Sequence, residues 1–370
     1  MNMNKLCLIF NDASKYREAI YKNIDREYDC EWFFMKPNTD IKVMDISLLK
    51  RAQEVPTYFV PHTPIYYQSH IIRLLWKDNN LFFMLGDLFC LSTWIFLLVK
   101  KIFFPNKKVF LWSHGWYGKE TGVRRFLKKK FFKMADGVFL YGNYAKSLML
   151  KEGFNDKKLY VIHNSLDYEK QLDIRKELKT SNIYKEHFGN DNHCLLFLGR
   201  LTKIKRLDQA IEALYKLHLQ GKDYNLILVG AGKEKTYLDA LVRKYALEKN
   251  VWFYGACYDE AKNAELVYNA DLCVSPGNVG LTAMHVMMFG CPVLTHNDFS
   301  HQMPEFEAVH PGETGDFFDR DNVESLVTKI DEWFEKHALT REIVREKCMK
   351  EIDSQWTPEF QMNVIRQFLK

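Results

Sequence analysis

The sequence lacks several of the patterns that assign a protein to a familiar class. Its eight cysteines include no Cys-x-x-Cys pair, and its cysteines and histidines show no spacing typical of metal ligands. Cys7, Cys194 and Cys273 lie inside apolar runs, which favours buried free thiols in a reducing compartment over disulfides. No segment is of low complexity or repeats at a short fixed period, which excludes disordered and solenoid proteins.

A secretory signal and a glycosidase-type pair of carboxylates are also missing. The first apolar run, 5–10, is too short for the core of a signal peptide, and it ends at Asn11, a pattern typical of a strand followed by a helix cap. We therefore expect a cytoplasmic protein. Because no two acidic residues stand in a recognisable glycosidase arrangement, a glycoside hydrolase is not expected.

The length and the apolar pattern predict two α/β domains. A chain of 370 residues with 47% hydrophobic and 27% charged residues suits two cores of about 150 to 190 residues each. Short apolar runs alternate with amphipathic segments in both halves, as in parallel sheets wrapped by helices. The predicted strands are 5–10, 30–35, 57–60, 81–85, 108–112, 137–141, 159–162, 194–198, 225–229, 251–254, 272–274 and 292–295. The predicted helices are 14–25, 66–77, 88–103, 122–134, 143–152, 207–219, 234–247, 261–268, 281–289, 322–336, 340–352 and 357–369.

A polar stretch, 168–193, separates the two halves and predicts the domain boundary and hinge. We expect a first domain over 1–167, a second over 194–340, and C-terminal helices over 341–370. Ligands of open α/β sheets bind at the carboxyl ends of the strands, so polar residues that follow the strands are expected to line a binding site.

Two motifs in the second half predict a diphosphate site. The apolar run 195–198 breaks at Gly199 and presents Arg200 and Lys205, and the turn 275–280 runs directly into an apolar helix. Such a turn directs unpaired backbone N–H groups and the positive end of the helix dipole at a ligand, and two neighbouring cations suit a diphosphate. Taken alone, the two cations are also compatible with an ordinary protein surface. The turn, taken alone, is also compatible with an ordinary loop.

The order of these motifs resembles the nucleotide-sugar domain of the retaining glycosyltransferases of family 4, also called glycosyl transferases group 1. The resemblance covers about 108–318 and rests on Gly-Arg-Leu-x-x-x-Lys, then Ser-Pro-x-x-x-Gly-Leu, then Met-x-x-Gly-x-Pro-Val. It implies a GT-B fold, in which two Rossmann-like domains face each other across a cleft and the C-terminal helix crosses back to the N-terminal domain. It also implies transfer of a sugar from a nucleoside-diphosphate donor with retention of configuration.

The chain departs from the family at the two glutamates that usually flank the Gly-Leu pair. Gly277 and His285 occupy those positions. Either the donor is bound in an unusual way or the site is degenerate, and we favour a variant enzyme because the predicted phosphate-binding residues are present. His285 has an alternative as a core histidine. Glu305 or Glu307 is expected to replace the first glutamate, unless both are exposed or helix-capping acids.

The resemblance then assigns the remaining site residues. Ser-His-Gly at 113–115 matches a His-Gly pair whose imidazole contacts a sugar hydroxyl, although a strand-end histidine can be a simple cap. Gly230 begins a Gly-x-Gly turn that lacks the third glycine and the acidic partner of a dinucleotide site, so a dehydrogenase is discounted. The predicted catalytic residues are Arg200, Lys205 and His114. The predicted donor-binding residues are Gly199, Gly230, Gly277, Asn278, Gly280, Leu281, Thr282, His285, Glu305 and Glu307. No metal ion and no cofactor are expected, since two cations and a helix N-terminus suffice for the leaving diphosphate.

A basic and apolar stretch, 88–133, predicts a membrane-facing surface. Residues 88–104 are almost entirely apolar, and 100–133 carry many lysines and arginines against a single acid, Glu120. A spanning helix needs about 20 apolar residues, and Lys100 interrupts this shorter run. A surface for anionic lipid or a lipid-linked acceptor fits better. The alternative for 88–104 is a buried core helix, and a nucleic-acid groove is disfavoured by the phenylalanines and the lack of a motif.

These observations together predict a glycosyltransferase that moves a sugar from a nucleoside-diphosphate donor to a hydroxyl of a glycan acceptor, which we expect to be lipid-linked. The resemblance implies surface polysaccharide biosynthesis, such as capsule or lipopolysaccharide, at the inner face of the cell membrane. Two alternatives stay open. One is an inactive GT-B scaffold that binds membrane or a partner transferase, and the other is a nucleotide-sugar epimerase.

Overall fold

The computed structural model describes residues 5–36 and 42–368. The chain divides into two units, Met1–Asp167 with Thr357–Lys370 and Tyr168–Trp356. Each unit is built on one sheet in which all strands are parallel. The polar stretch 168–193, expected as a linker, instead contains two helices and is grouped with the second unit.

The first unit contains a seven-stranded sheet and a separate antiparallel strand pair. Its strands are β1 Lys5–Ile9, β2 Asp29–Met35, β3 Ala52–Val55, β4 Thr57–Phe59, β5 Tyr66–Gln68, β6 Leu81–Leu85, β7 Lys108–Ser113, β8 Gly137–Leu140 and β9 Leu159–Val161. Its helices are α1 Glu18–Glu27, α2 Leu91–Phe103, α3 Gly122–Met134, α4 Asn143–Lys151 and, from the end of the chain, α13 Pro358–Arg366. The sheet order is β3-β2-β1-β6-β7-β8-β9, and β4 pairs only with β5.

Apolar side chains cover both faces of this sheet. Along β1, Leu6 and Leu8 pack into one buried cluster, whereas Cys7 and Ile9 pack into the other. Successive side chains of a strand point to opposite faces, so a continuous apolar run of this kind belongs to a strand that is buried on both sides. All eight cysteines are free in the structure, as the sequence predicts.

The last helix packs on the first unit. Met362 and Ile365 of α13 join the same buried cluster as Leu6 and Leu8, and the guanidinium of Arg366 pairs with Glu27 of α1 at 2.7 Å. The prediction that the C-terminal helix returns to the N-terminal domain is confirmed.

The second unit contains a six-stranded sheet. Its strands are β10 Cys194–Leu198, β11 Asn225–Val229, β12 Val251–Gly255, β13 Leu272–Ser275, β14 Val293–His296 and β15 Gly315–Phe318. Its helices are α5 Tyr168–Glu177, α6 Ile183–Phe188, α7 Leu207–Leu219, α8 Lys235–Lys244, α9 Glu260–Asn269, α10 Leu281–Met288, α11 Val323–His337 and α12 Arg341–Gln355. The sheet order is β12-β11-β10-β13-β14-β15.

One predicted element of the first unit is wrong, and another lies outside the main sheet. The strand predicted at 57–60 is confirmed as β4, Thr57–Phe59, but it forms the separate hairpin with β5, and the edge strand beside β2 is β3. The segment 66–77 was expected as a helix, but it holds β5 and a 3-10 helix, Ile71–Trp76. The side chain of Gln68 donates to the carbonyl of Phe10 at 2.8 Å, and this long-range bond favours the extended backbone.

Candidate functional site

The topology of the second sheet defines where a ligand can bind. From β10 the chain builds outward through β11 and β12, and it then returns to place β13 on the other side of β10. The loops that follow β10 and β13 therefore leave the sheet in opposite directions and open a crevice at its carboxyl edge, the usual ligand site of an open α/β sheet. The segments at this point are 199–206 after β10 and 276–280 after β13. Both predicted phosphate motifs lie there.

Lys205 is held beneath the loop that precedes α10. Its Nζ donates to the backbone carbonyl of Asn278 at 2.6 Å and to the Asn278 Oδ1 at 2.9 Å. Within the described ranges, the ammonium group has no other hydrogen-bond partner and no ion-pair partner. One of its three N–H donors is therefore left for a ligand.

The start of α10 carries further donors. The backbone N–H groups of Gly280, Leu281 and Thr282 donate no hydrogen bond to any residue that the structure describes. Unpaired N–H groups at a helix N-terminus, together with the helix dipole, favour an anion. The ammonium of Lys205 lies close by, since a Cβ built on Gly280 would be 4.0 Å from Nζ.

Gly277 is required by the close approach of two backbone segments. A Cβ at this position would lie 1.9 Å from the carbonyl oxygen of Ile204, and the Gly277 N–H donates to the carbonyl of Lys205 at 3.0 Å. No side chain of any kind fits without a backbone shift. Gly277 therefore contributes tight packing of the Lys205 loop, and it cannot be exchanged simply for the family's glutamate.

A buried hydrogen-bond network fixes the loop before α10. Gln302 accepts a hydrogen bond from the Val279 N–H at 2.9 Å and donates to Thr295 Oγ1 at 2.8 Å. Thr295 Oγ1 donates in turn to the carbonyl of Ser275 at 2.8 Å. Sequence reasoning missed both side chains, because nothing in the local pattern around 295 or 302 distinguishes a buried network from ordinary polar residues.

The acids downstream of β14 differ in burial. Glu305 is buried, and Glu307 is partly exposed. Burial lowers the pKa of Lys205 to about 8, an effect that the negative charge of Glu305 opposes and the positive charge of Arg200 reinforces. Both groups are thus close enough to Lys205 to act on its charge. Arg200 is exposed and forms no ion pair with a described residue.

His285 lies beside a carboxylate that the sequence analysis did not single out. Its Nε2 is 3.1 Å from Glu260 Oε1, at the start of α9. Gln171 of α5 donates to the same Glu260 oxygen at 2.7 Å. Burial alone would raise the pKa of Glu260, but the proximity and charge of His285, the hydrogen bond from Gln171 and the charge of Lys170 together outweigh it and lower this pKa to about 2. Glu260 therefore carries a negative charge beside His285 on α10.

Two other predicted donor residues have structural roles. Thr282 Oγ1 donates to the carbonyl of Leu198 at 2.9 Å and so ties α10 to the end of β10. Gly230 brings the loop after β11 against the loop after β10, because a Cβ there would lie 1.8 Å from the carbonyl oxygen of Gly199. Both residues thus fix the position of the backbone at the end of β10, which borders the crevice.

His114 lies in the first unit, at the end of β7. It lines a cavity of about 380 Å³ at the carboxyl edge of the first sheet. Burial, followed by the positive charges of Arg17 and Lys128, lowers the pKa of His114 to about 4. The imidazole is neutral at pH 7, and its Nδ1 is buried without a hydrogen-bond partner among the described residues.

The basic and apolar stretch 88–133 contains α2, β7 and most of α3, and the two helices pack together through Trp94 and Phe131. One face of α2 is buried in the core, as the core-helix alternative requires. Its opposite face exposes apolar side chains, among them Leu98 at 51%. These exposed residues are Leu91, Ile95, Leu98 and Ile102 of α2, with Val123, Phe126 and Leu127 of α3. We call them the α2–α3 apolar face.

The cations of this stretch fall into two groups. Five of them lie within ion-pair distance of acids at 2.5 to 3.9 Å, namely Lys100 and Lys108 with Asp136, Arg125 and Lys129 with Glu152, and Lys128 with Glu120. The other six form no ion pair with the described part of the chain, namely Lys101, Lys107, Lys119, Arg124, Lys130 and Lys133. No helix among the described residues is long and apolar enough to cross a membrane.

Part of the chain is similar to known glycosyltransferases. Residues 179–350 match the family model of glycosyl transferases group 1. The chain is 27% identical over 237 residues to an uncharacterized glycosyltransferase of Methanocaldococcus jannaschii, which covers 60% of this chain and 57% of the relative. It is 25% identical over 154 residues to the amylovoran biosynthesis glycosyltransferase AmsD of Erwinia amylovora, which covers 42% of this chain and 41% of the relative. The matched part thus spans little more than half of the first relative and less than half of the second.

Solved structures show the fold over the whole chain. The lipopolysaccharide outer core galactosyltransferase WaaB aligns with a TM-score of 0.71 at 15% identity, over 98% of this chain and 99% of WaaB. HepE of Anabaena in complex with UDP aligns with a TM-score of 0.71 at 15% identity, over 99% of both chains. The fold is the GT-B fold of glycosyltransferases, with two Rossmann-like domains, and the predicted fold class is confirmed.

Proposed function

We propose that this protein is a glycosyltransferase that moves a sugar from a nucleoside-diphosphate donor to a hydroxyl of a glycan acceptor. The observation that carries the proposal is the position of Lys205, a partly buried ammonium group fixed by Asn278 beside the unbonded N–H groups of α10. The match to glycosyl transferases group 1 and the UDP bound by HepE support it. The name of AmsD supports a role in polysaccharide biosynthesis.

The proposed chemistry is electrostatic. When the bond between sugar and diphosphate breaks, negative charge grows on the departing phosphate oxygens. Lys205, Arg200 and the N–H groups that open α10 are positioned to stabilise this charge, so we expect transfer without a metal ion. Retention of configuration is part of the proposal and follows from the family resemblance.

We further propose that Glu305 and Glu260 replace the two missing family glutamates. Glu305 is the buried acid whose charge acts on Lys205, which makes it the better candidate than Glu307 for the hydroxyls of the donor sugar. Glu260 is the ionised acid held by His285 and would accept hydrogen bonds from the ribose. His285 then acts as a positioning residue.

The donor proposal is tested by ligand-dependent thermal stability. A panel of UDP-, GDP-, dTDP- and ADP-sugars is added without metal to the wild type, Lys205→Ala and Lys203→Ala. A donor at 100 times its Kd stabilises by about 2.7 kcal/mol, which raises the Tm of a unit of this size by about 5 to 10 °C. We expect this rise in the wild type and in Lys203→Ala, whose exposed lysine lies in the same turn, and its loss in Lys205→Ala.

The inactive scaffold is the second candidate function, and the residues at 277 and 285 favour it. If no donor of the panel shifts the Tm of the wild type, the scaffold becomes the better explanation. If one donor does, incubation with that donor alone distinguishes a transferase from a nucleotide-sugar epimerase. An epimerase would convert the sugar without an acceptor, and a transferase would not.

We also propose that the α2–α3 apolar face docks on anionic membrane, where a lipid-linked acceptor would be held. Exposed apolar side chains flanked by cations without acidic partners, such as Lys101 and Lys130, match an interfacial surface. The inner leaflet, which carries anionic lipid, is the expected location.

Sedimentation with vesicles tests the membrane proposal. Leu98→Glu removes about 1.5 to 3 kcal/mol of apolar transfer, so binding to vesicles that contain anionic lipid should fall by at least tenfold. Leu219→Glu is the matched control, because Leu219 is 67% exposed and lies in the second unit. Binding of the wild type should weaken as salt is raised. Equal binding by Leu98→Glu and the wild type, or no binding at low salt, contradicts the proposal.

A further inference from the structure

The first unit has its own cavity, with chemistry that the donor site does not use. It has a volume of about 380 Å³, within the range of small-molecule sites. It is bounded at the carboxyl ends of β1, β6 and β7 by residues that include Asn11, Asp87 and His114, and from the helices by Arg17 and Lys128. Its most unusual component is Arg17.

Arg17 is a buried cation without an anionic partner in the part of the chain that the structure describes. Only 7% of the residue is exposed. Its guanidinium donates to the hydroxyl of Tyr21 at 3.2 Å and to the hydroxyl of Tyr141. Among the residues that the structure describes, its Nε has no hydrogen-bond partner and no carboxylate lies within ion-pair distance. The remaining contacts are aromatic, including the rings of Tyr16 at 5.4 Å and Trp112 at 5.8 Å.

The same unit shows how a buried cation is normally accommodated. Lys100 is 5% exposed and is paired with the Asp136 carboxylate at 2.7 Å. Burying a charge is costly unless an opposite charge and hydrogen bonds compensate for it. Neutral hydroxyls and rings compensate for Arg17 only in part, so its environment is incomplete without an anion.

Two other charged side chains of the cavity wall, Asp87 and Lys128, already have partners within the protein. Asp87, the acid of the cavity wall, accepts hydrogen bonds from the Tyr66 hydroxyl and the Phe89 N–H at 3.0 Å each. Lys128 is paired with Glu120. Burial lowers the pKa of His114, and the positive charges of Arg17 and Lys128 lower it further. The surroundings of the imidazole therefore favour a negatively charged ligand.

We propose that this cavity binds an anionic group of the acceptor, a phosphate or a carboxylate, through Arg17, with an acceptor hydroxyl beside His114. This proposal rests on the proposed transferase function and specifies its second substrate. A guanidinium presents two parallel N–H groups that match the oxygens of either anion. The neutral imidazole of His114, with its unpartnered Nδ1, suits a hydroxyl close to that anion.

Direct binding of small probes tests the proposal. Isothermal titration uses octyl phosphate for a lipid-linked phosphate, glucuronic acid for an acidic sugar, and octyl glucoside as the neutral control. The Lys205→Ala background keeps the probes from the donor site. Arg17→Met removes the charge at similar volume, and Arg26→Met is the matched control, because Arg26 is an exposed arginine of α1 without an ion pair to a described residue.

We expect one anionic probe to bind, at least tenfold more weakly in Arg17→Met and unchanged in Arg26→Met. The probe that binds identifies the source of the anion. Arg17→Lys, which keeps the charge, should retain part of the affinity. A Tm of Arg17→Met close to that of the wild type would show that the loss is not caused by unfolding.

Two results would overturn the proposal. One is the absence of binding by both anionic probes, and the other is equal affinity in Arg17→Met and the wild type. Donor binding by otherwise wild-type protein is measured in parallel. If the donors bind and the anionic probes do not, only the acceptor proposal fails, whereas the absence of any donor binding is a failure of the transferase proposal.

Discussion

Replacing Lys205 by alanine should weaken binding of a nucleoside-diphosphate sugar and remove most of the transfer activity. Two of the three N–H groups of the ammonium donate to Asn278, at 2.6 and 2.9 Å, and the third donates to no described residue. A bound diphosphate would take that third donor at the N-terminus of α10, in a site that is partly shielded from water.

The size of the effect follows from the kind of contact that is lost. A hydrogen bond between charged groups contributes about 1.5 to 3 kcal/mol, which corresponds to a Kd about 10- to 150-fold weaker. In the reaction the same ammonium would meet the developing charge of the leaving diphosphate, where the loss of one donor costs about 10²- to 10³-fold in kcat. Lys203→Ala, which removes an exposed lysine from the same turn, should leave both quantities unchanged.

The pH dependence provides the sharper test. The free protein has a Lys205 pKa of about 8, lowered mainly by burial, and a bound diphosphate favours the protonated amine and raises this pKa. Donor affinity should then be constant below pH 8 and fall by about tenfold per pH unit above it. Isothermal titration between about pH 6.5 and 9.5 should show this fall in the wild type and a flat, weaker profile in Lys205→Ala. An identical fall in both proteins would refute the assignment.

Three further substitutions test the rest of the site. Gly277→Glu introduces the glutamate that the resemblance to glycosyl transferases group 1 would place here, but it puts a Cβ 1.9 Å from Ile204 O, so thermal unfolding should show a loss of about 1 to 3 kcal/mol and donor binding should not improve. Gln302→Leu leaves the Val279 N–H without its buried acceptor, so the loop before α10 should loosen and donor affinity should fall, while circular dichroism shows an intact fold. Glu260→Gln keeps the shape and removes the charge, so donor titrations should show weaker binding of the nucleotide. If Glu260→Gln binds the donor as the wild type does, the ribose role of Glu260 is wrong.

The periodic pattern of the sequence was sufficient for most of the fold. Strands such as β1 and β10 are continuous apolar runs that can be satisfied only by burial on both faces, and this local property identifies them without knowledge of their neighbours. The pattern failed at 66–77, where a hydrogen bond from Gln68 to Phe10 favours a strand over a helix. It also missed β15, a strand of four residues with no distinctive alternation.

The candidate site was predictable only in part, for a related reason. Lys205 and the turn at 277–280 follow strands that the apolar pattern reveals, so their proximity follows from the sheet topology. The contact of His285 with Glu260 joins α10 to α9, and no spacing along the chain indicates it. The acid that the family places in α10 therefore has a candidate substitute on another helix.

By itself, the sequence determined two α/β domains, an arginine and a lysine after one strand, and a glycine-rich turn after another, because each of these depends on short-range pattern. The tertiary structure decided what those residues can do. It places the backbone of Ile204 where a side chain at 277 would have to lie, and it buries Arg17 among aromatic rings, with no described carboxylate within ion-pair distance. Burial and charge pairing depend on residues that are distant in the chain and adjacent in space, and only the folded molecule brings them together.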